Sequence, residues 1–164
     1  MTVPARIGVC TDPLAVARLR WAWAREVDRD LAQWSGDEAF IVDVRRWMSK
    51  RFRTVWTAAI ADQPVGMVCL TEYTRLPSPR AGAARSWGYL GHLFVSPDQR
   101  GSGIGRRLVE TVVGAADSRS YSKVVLSPSA PSIPLYRRCG FVLENNLMVN
   151  IRRDSNGLGH DASG

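Results

Sequence analysis

Three alternate glycines in the middle of the chain stand where the backbone could bind an anion. Residues 95–108 read VSPDQRGSGIGRRL. Pro97 favours a turn after an apolar strand, and the glycines lead directly into a segment with helical periodicity. Glycine lets the backbone approach a ligand closely, and the free N–H groups of a helix's first turn attract negative charge. The segment therefore predicts a pyrophosphate site at residues 100–105.

Two well-known phosphate motifs do not fit this spacing. A dinucleotide fingerprint that starts at Gly101 and Gly103 needs its third glycine at position 106, where Arg106 stands. A P-loop needs Gly-Lys followed by Ser or Thr, and no lysine lies nearby. In a purely structural alternative, the glycines only shape a tight turn between strand and helix. Arg100 and Arg106 favour the anion site because they add positive charge.

Hydrophobic periodicity predicts the elements that position this turn. Apolar residues at helical spacing predict four helices. The first spans about 13–31, and the second runs from a capping box at Ser35 and Glu38 to about residue 51. The third follows the glycine turn, and the fourth lies around 132–138. β-branched and aromatic runs predict strands at 7–9, 54–61, 65–73, 87–95, 124–126 and 141–151. Helices between strands, with hairpins at the front, indicate a single mixed α/β (α+β) domain. We expect this domain to span 1–153, with a central mixed sheet of six to seven strands and about four helices, and the polar tail 154–164 to be disordered.

Composition narrows the function classes. A chain of 164 residues suits one domain. No apolar run approaches the roughly 20 residues that span a bilayer, and the first residues do not resemble a secretory signal. Cys10, Cys69 and Cys139 are odd in number and lack CxxC spacing, so we expect no disulfide framework, no metal site and a cytoplasmic location. The net charge of +7 comes from dispersed arginines, which permits a nucleic-acid partner without predicting one.

Two motifs in order give the chain a family resemblance. R-G-S-G-I-G at 100–105 fits the R/Q-x-x-G-x-G/A loop that binds the acyl-CoA pyrophosphate in the GNAT superfamily of N-acetyltransferases. The preceding HLFVSPDQ resembles that family's fourth strand and turn, and L-Y-R-R-C-G-F at 135–141 is similar to its L-Y-x-x-x-G-F block. The order of elements agrees over roughly residues 5–151. The resemblance implies a GNAT fold, in which pantetheine lies between the fourth and fifth strands, and acetyl-CoA (coenzyme A) as co-substrate.

The implied coenzyme contacts lie mostly at the end of the fourth strand and in the loop after it. They are Leu93, Phe94, Val95, Arg100, Gly101, Ser102, Gly103, Ile104, Gly105 and Arg106, followed by Ser129 and Tyr136. Ser129 stands where the family often has an asparagine, so its shorter side chain is expected to make only part of that contact. Tyr136 matches the family tyrosine near the coenzyme sulfur, which implies a general acid, and its pKa near 10 would keep it protonated at neutral pH. A tyrosine that packs the short helix against the sheet is the alternative.

The general base is left open. Tyr89 stands where some family members have a glutamate, and a tyrosine is no base at neutral pH. His92 is the only imidazole before the tail, which makes it a candidate. Regular strand alternation would point it to the face opposite Tyr89, unless the bulge that the family has in this strand re-aims it. A structural histidine and a water chain from Glu72 or a helix carboxylate are the alternatives.

The resemblance places an acceptor site near the first two helices, the loop after the third strand and the last strand. Aromatic and acidic residues there suit a cationic amine, although the same residues could be core and helix caps. They are Trp21, Trp23, Trp34, Trp47, Glu26, Asp28, Asp30, Asp37 and Glu38.

We expect the acceptor to be a primary amine of a small molecule or peptide, which attacks the thioester directly in a ternary complex. Alternatives are an acceptor on aminoacyl-tRNA or protein, and a catalytically silent acyl-CoA-binding regulatory module. A pure RNA-binding domain would leave the glycine turn unexplained. Family analogy also allows a homodimer.

Overall fold

A single five-stranded sheet runs through the part of the chain that the computed structural model describes, residues 4–80, 82–83, 85–144 and 147–150. The strands lie side by side in sequence order: β1 Arg6–Val9, β2 Arg53–Ile60, β3 Gln63–Thr74, β4 Ser86–Val95 and β5 Val124–Val125. Neighbours from β1 to β4 are antiparallel, and β5 is parallel to β4. The predicted mixed sheet with a hairpin at its front is confirmed.

Within the described residues, four α-helices cover the sheet: α1 Pro13–Val27, α2 Glu38–Met48, α3 Ile104–Ser118 and α4 Ile133–Arg138. Short 3-10 turns lie at Pro97–Gln99 and Ala130–Ser132. The Asp12 carboxylate accepts a hydrogen bond from the Leu14 backbone N–H at 2.9 Å and so caps α1, with Pro13 as its first residue. This helix ends at Val27 rather than near position 31.

The second helix begins at a different cap from the predicted one. The Asp37 carboxylate accepts a hydrogen bond from the Phe40 backbone N–H at 2.8 Å. Gly36, with a φ of +83°, separates Ser35 from the helix. Ser35 is therefore too far from the first turn to satisfy its N–H groups, and the predicted capping box of Ser35 and Glu38 is wrong.

The two faces of the sheet carry separate apolar clusters. On one face, α1 and α2 pack over a cluster that includes Val16, Ala17, Leu19, Val44, Val55, Met67, Cys69 and Phe94. On the other face, α3 and α4 pack over a cluster that includes Val68, Leu70, Leu90, Leu108, Val109, Val112 and Tyr136. Alternate residues of β3 and β4 therefore pack against opposite helix layers, as expected for a sheet covered on both sides.

β4 and β5 stay together for only two register pairs. Gly88 lies opposite Val124 and Tyr89 opposite Val125, after which β5 ends while β4 continues to Val95. The family resemblance implied that these strands separate. Their separation leaves a gap beside residues 91–95, where β4 has no partner strand on the β5 side.

The predicted count of six to seven strands is wrong for the described residues, which form five. The predicted last strand, 141–151, is absent from 141–144 and 147–150, and position 151 and the tail 154–164 lie outside the described residues. Val142 and Leu147 are 78% and 75% exposed, so the apolar residues that alternate in this segment are not buried as those of a strand in the sheet would be. A strand needs a neighbour to pair with, and the two residues of β5 offer a very short edge. No helix in the described ranges is long and apolar enough to cross a membrane.

The corrected cap predicts a difference between two neighbouring substitutions. Asp37→Ala removes the acceptor for the Phe40 N–H and should lower the free energy of unfolding by about 1 kcal/mol. Ser35→Ala should change it by less than about 0.5 kcal/mol, as surface changes usually do. Urea unfolding of both variants checks this, and a larger loss from Ser35→Ala would restore the capping box.

Candidate active site

The glycine turn leaves backbone amides open at the start of α3. Gly101 and Gly103 have φ angles of +78° and +83°, and Gly103 is the residue that precedes the helix. A Cβ added at either glycine would meet no atom within 4 Å, so nothing covers the turn there. The first helical hydrogen bond runs from the Arg107 N–H to the Gly103 carbonyl at 3.1 Å. The N–H groups of residues 104–106 therefore have no acceptor within the helix, which is the arrangement that binds anions.

The two arginines of the motif already have carboxylate partners. The Arg100 guanidinium donates to both Glu26 carboxylate oxygens at 2.8 Å and, through Nε, to the Val95 carbonyl at 2.9 Å. Arg106 donates to the Glu110 carboxylate at 2.7 Å, one turn further along α3. Their positive charge is thus partly neutralised by carboxylates, whereas the amides at the start of α3 are open.

The strand edge at the gap is next to this turn. Ser96 donates to the Val65 carbonyl at 2.8 Å while Gly66 lies opposite Val95, so the N–H and C=O of Val95 point away from β3. The Val95 C=O accepts the hydrogen bond from Arg100 Nε, which leaves the Val95 N–H to face the gap. The Leu93 C=O also points away from β3, because it belongs to the same peptide as the Phe94 N–H, which faces Met67 of β3. Phe94 lies opposite Met67, and its ring is buried and stacked on Trp23 with centroids 6.0 Å apart. Leu93 and Val95 are therefore better placed than Phe94 to bind a ligand through backbone groups.

Tyr136 lies on α4 in the cluster beneath α3. It is 9% exposed, and its ring meets the edge of Phe141 with centroids 5.8 Å apart. Burial, and then the nearby Tyr89 and Cys139, raise the pKa of Tyr136 to about 12. The phenol therefore stays protonated at neutral pH, as a general acid must. It also lines a cavity beside β5, so the catalytic and packing interpretations are compatible.

Ser129 is exposed and its hydroxyl is engaged locally. The Ser129 Oγ donates to the Ser132 Oγ at 3.1 Å, and the Ser132 Oγ donates to the Ser129 carbonyl at 2.8 Å. These bonds shape the turn before α4. A coenzyme contact by the Ser129 side chain remains a prediction that would require this small network to rearrange.

A bulge in β4 turns His92 onto the face covered by α1 and α2. Met67 lies opposite Phe94 and Cys69 opposite Gly91, so β4 contains one extra residue between these pairs. His92 has a φ of +56°, in the left-handed region. The alternation that would have sent it to the other face is broken, and the alternative of a re-aimed histidine is the correct one.

The imidazole of His92 lies among aromatic rings and arginines. Its ring centroid is 5.2 Å from that of Trp47 and 6.4 Å from that of Trp23. Burial, and then the positive charges of Arg20 and Arg53, lower the pKa of His92 below its ordinary value. Because the protonated form is disfavoured, the imidazole is neutral at pH 7 and able to accept a proton.

His92 opens onto a cavity of about 300 Å³ between the sheet and the first two helices. Its walls are mostly apolar, with an arginine, an aspartate and a histidine as the charged or titratable polar groups. They are Val16, Arg20, Phe40, Asp43, Val44, Trp47, Val55, Met67, Val68, Cys69 and His92. Burial raises the pKa of the Cys69 thiol to about 11, so this cysteine is an uncharged part of the wall.

The predicted acceptor residues divide into two groups. Trp23 and Trp47 flank His92, whereas Trp21 donates its indole N–H to the Ala32 carbonyl at 2.8 Å and meets Trp34 edge-on, which fixes the loop after α1. None of the predicted carboxylates lines the cavity; they are Glu26, Asp28, Asp30, Asp37 and Glu38. The prediction that they bind a cationic amine beside the tryptophans is therefore wrong for this cavity.

Glu72 is also engaged elsewhere. Its carboxylate accepts a hydrogen bond from the Tyr121 hydroxyl, on the face that carries α3. A water chain from Glu72 to the His92 cavity would have to cross the sheet. Glu72 therefore lies on the opposite face of the sheet from the His92 cavity, and its role as a base stays a prediction.

Sequence reasoning missed one cationic group and one ion pair that shape this region. Arg20 lies on the same helical face as Val16 and Trp23, and that spacing could have revealed it. The pairing of Glu26 with Arg100 joins residues far apart in the chain and has no local sequence signal. In the described ranges, no three or more His, Cys, Asp or Glu side chains gather in a way that could hold a metal ion.

Comparison with known proteins defines the class that this fold and site belong to. The family model described as "Acetyltransferase (GNAT) family" matches residues 15–141, which is most of the chain. The chain therefore belongs to the GNAT family and is an N-acetyltransferase.

Two curated relatives and one solved structure illustrate the range of the family. Glucosamine 6-phosphate N-acetyltransferase of Trypanosoma brucei brucei is 27% identical over 63% of this chain and 67% of its own length. Human N-acetyltransferase 8 is 30% identical over 73% of this chain and 49% of its own, so the chain spans about half of that relative. A crystal structure of a Clostridium acetobutylicum acetyltransferase with acetyl-CoA superposes with a TM-score of 0.65 at 18% identity, covering 89% of this chain and 94% of that one.

The open turn predicts that a negative charge at Gly103 will repel the coenzyme. Gly103→Asp should weaken acetyl-CoA binding by at least about tenfold, since a carboxylate near a phosphate costs several kcal/mol at close range. Gly103→Asn is the matched control, because Asn has nearly the same size and similar tolerance of positive φ without the charge. Calorimetric titration of both variants measures the difference, and equal affinities for the two would contradict an anion site at this turn.

Proposed function

We propose that this protein transfers the acetyl group of acetyl-CoA to a primary amine of a small molecule, by direct attack within a ternary complex. The observation that carries the proposal is the unpaired edge of β4 beside an open glycine turn. A ligand with amide groups and a pyrophosphate can pair with the first and place its phosphates at the second. Residues 101–105 would hold the pyrophosphate, and the backbone of Leu93 and Val95 would bind the pantetheine amides.

Acetyl-CoA supplies an acetyl group activated as a thioester. The amine nitrogen bonds to the carbonyl carbon, the carbon–sulfur bond breaks, the amine gives up a proton, and the leaving thiolate gains one. The chain's own residues have to provide the acceptor and the donor of these two protons.

His92 suits the role of general base for the incoming amine. It is neutral at pH 7, it lies in the strand that borders the gap, and it faces a cavity able to hold a small molecule. Alkyl amines are mostly protonated at this pH, so a nearby proton acceptor raises the reactive fraction. The bulge supports this role because it places the imidazole on the cavity side of the sheet.

Tyr136 suits the role of general acid for the leaving thiolate. It lies on the α3 and α4 side of the sheet, whereas His92 lies on the α1 and α2 side. A group held in the gap between β4 and β5 would be reached from both faces. The amine can then enter from one side while the sulfur is protonated from the other.

The cavity favours a small acceptor over a macromolecule. About 300 Å³ is at the lower end of ligand pockets and holds one small molecule. The Trypanosoma relative is named for an amino-sugar phosphate, which supports the same class of acceptor. The three cysteines are free thiols, and we retain a reducing cytoplasm as the proposed location.

The role of His92 predicts the shape of the pH profile. Below the lowered pKa of His92, both the amine and the imidazole must lose a proton, so a plot of log kcat/KM against pH should rise with a slope near 2. Above that pKa only the amine must lose a proton, and the slope should fall to about 1. His92→Gln should remove the break and lower kcat/KM by about 10²-fold, while His160→Gln should keep the wild-type profile. A break that survives in His92→Gln would exclude His92 as the base.

The role of Tyr136 predicts a loss of turnover without a loss of coenzyme affinity. Tyr136→Phe removes one hydroxyl from a buried ring and should lower kcat by about 10²-fold, with acetyl-CoA affinity changed by less than about twofold. Tyr121→Phe, which removes a different tyrosine hydroxyl and its hydrogen bond to Glu72, is the control and should keep near-normal kcat. Wild-type turnover in Tyr136→Phe, measured by thiol release, would remove the acid assignment.

A further inference from the structure

One cationic side chain in the wall of the His92 cavity, Arg20, has no anionic partner in the part of the chain that the structure describes. The Arg20 guanidinium lies over the ring of Trp23, with its central carbon 4.9 Å from the ring centroid. The Arg20 side chain makes no hydrogen bond or ion pair within the residues that the structure describes, and it is half-buried. Stacking on an indole engages the face of the guanidinium and leaves its five N–H donors available.

A second guanidinium reinforces this positive charge. Arg53 stacks on Trp47 at 4.4 Å and donates one hydrogen bond to the Trp47 carbonyl at 2.8 Å, but it has no ion pair among the described residues. Both arginines lower the pKa of His92, so both lie within electrostatic reach of the imidazole. The cavity's carboxylate, Asp43, is exposed and is paired with Arg46 at 3.3 Å.

The positive charge around the cavity disfavours an acceptor whose only charged group is its amine. An alkyl amine arrives as a cation at pH 7, and two guanidinium groups beside the base would repel it. An acceptor that brings its own negative charge would offset that repulsion and gain charge-assisted hydrogen bonds from the open N–H groups of Arg20. The remaining apolar walls would cover an uncharged part of the same molecule.

Resting on the proposed acetyl transfer, we infer that the acceptor carries an oxyanion, either a carboxylate or a phosphate, beside its amine, and that Arg20 binds this oxyanion. Carboxylates and phosphates share this chemistry, because each presents two oxygens to which the planar guanidinium can donate two hydrogen bonds. Arg20 is thus the specificity-determining residue of the acceptor site.

Binding of inert probes tests this inference without any catalysis. The probes are 3-phenylpropanoate, phenyl phosphate and the neutral 3-phenylpropanamide, titrated while the indole N–H signals of Trp23 and Trp47 are followed by NMR. One of the two oxyanions should bind at least about tenfold more tightly than the amide. Arg20→Gln should reduce that preference to within about twofold, and Arg18→Gln, an exposed arginine on the opposite side of α1, should retain it. Equal binding of all three probes, or a preference that survives Arg20→Gln, would overturn the inference.

Activity assays separate this inference from the proposed function. If the carboxylate is the better probe, phenylalanine is compared with phenethylamine; if the phosphate is better, 2-aminoethyl phosphate is compared with propylamine. Faster thiol release from the acceptor with the anion supports both proposals. Equal thiol release from both members of the pair overturns the oxyanion site and leaves acetyl transfer standing. Oxyanion-selective binding with no thiol release from either member of the pair leaves the oxyanion site standing and refutes the proposed transfer to a small primary amine.

Discussion

Backbone hydrogen-bonding groups along the end of β4 require partners that the sheet does not supply. β5 stops after Val125, opposite Tyr89, so residues 91–95 have a strand neighbour on one side only. Buried backbone groups are costly when unpaired, and an exposed strand edge tends to pair with another extended molecule. A ligand with amide groups can act as that missing neighbour. The glycine turn lies directly after this edge, because the same strand leads through Pro97–Gln99 into α3.

The bulge in β4 determines which face each chemical group occupies. One extra residue between Gly91 and Phe94 brings His92 to the side of α1 and α2, although an unbroken strand would send it to the other. Tyr136 remains beneath α3 on the opposite side. In the proposed mechanism, a ligand in the gap between β4 and β5 meets the proton acceptor on one face and the proton donor on the other. The proposal leaves the α1 and α2 layer to recognise the acceptor, through Arg20, Trp23 and Trp47.

Most elements could be predicted from local sequence signals, and the errors arise where a partner decides the outcome. The hairpin was predictable because two strand-like runs flank Asp62, a residue type common in turns. The structure places the turn at Ala61 and Asp62, both with positive φ. The helix after the glycine turn was predictable from its apolar stripe. The last strand was overpredicted because alternation in 141–151 indicates only a tendency, while pairing needs an edge longer than β5.

The site was predictable to the extent that one continuous segment forms it. The glycine turn and its helix lie together in sequence, and their geometry follows from Gly101 and Gly103. The partners of charged residues were not predictable, because Glu26 meets Arg100 only after α1 has packed against the end of β4. The position of His92 could not be decided either, since a bulge is a property of pairing between two strands. The cavity around Arg20 likewise exists only after α1 and α2 have packed on the sheet.

Backbone amide NMR with two related ligands tests most directly whether the strand edge and the turn form one coenzyme site. Coenzyme A should shift the amide signals of Leu93 and Val95 together with those of Gly101 to Gly105. Pantetheine, which lacks the pyrophosphate, should shift the signals of Leu93 and Val95 and leave those of Gly101 to Gly105 nearly unchanged. Coenzyme A binding that leaves both sets of signals in place would contradict a coenzyme site at the edge of β4.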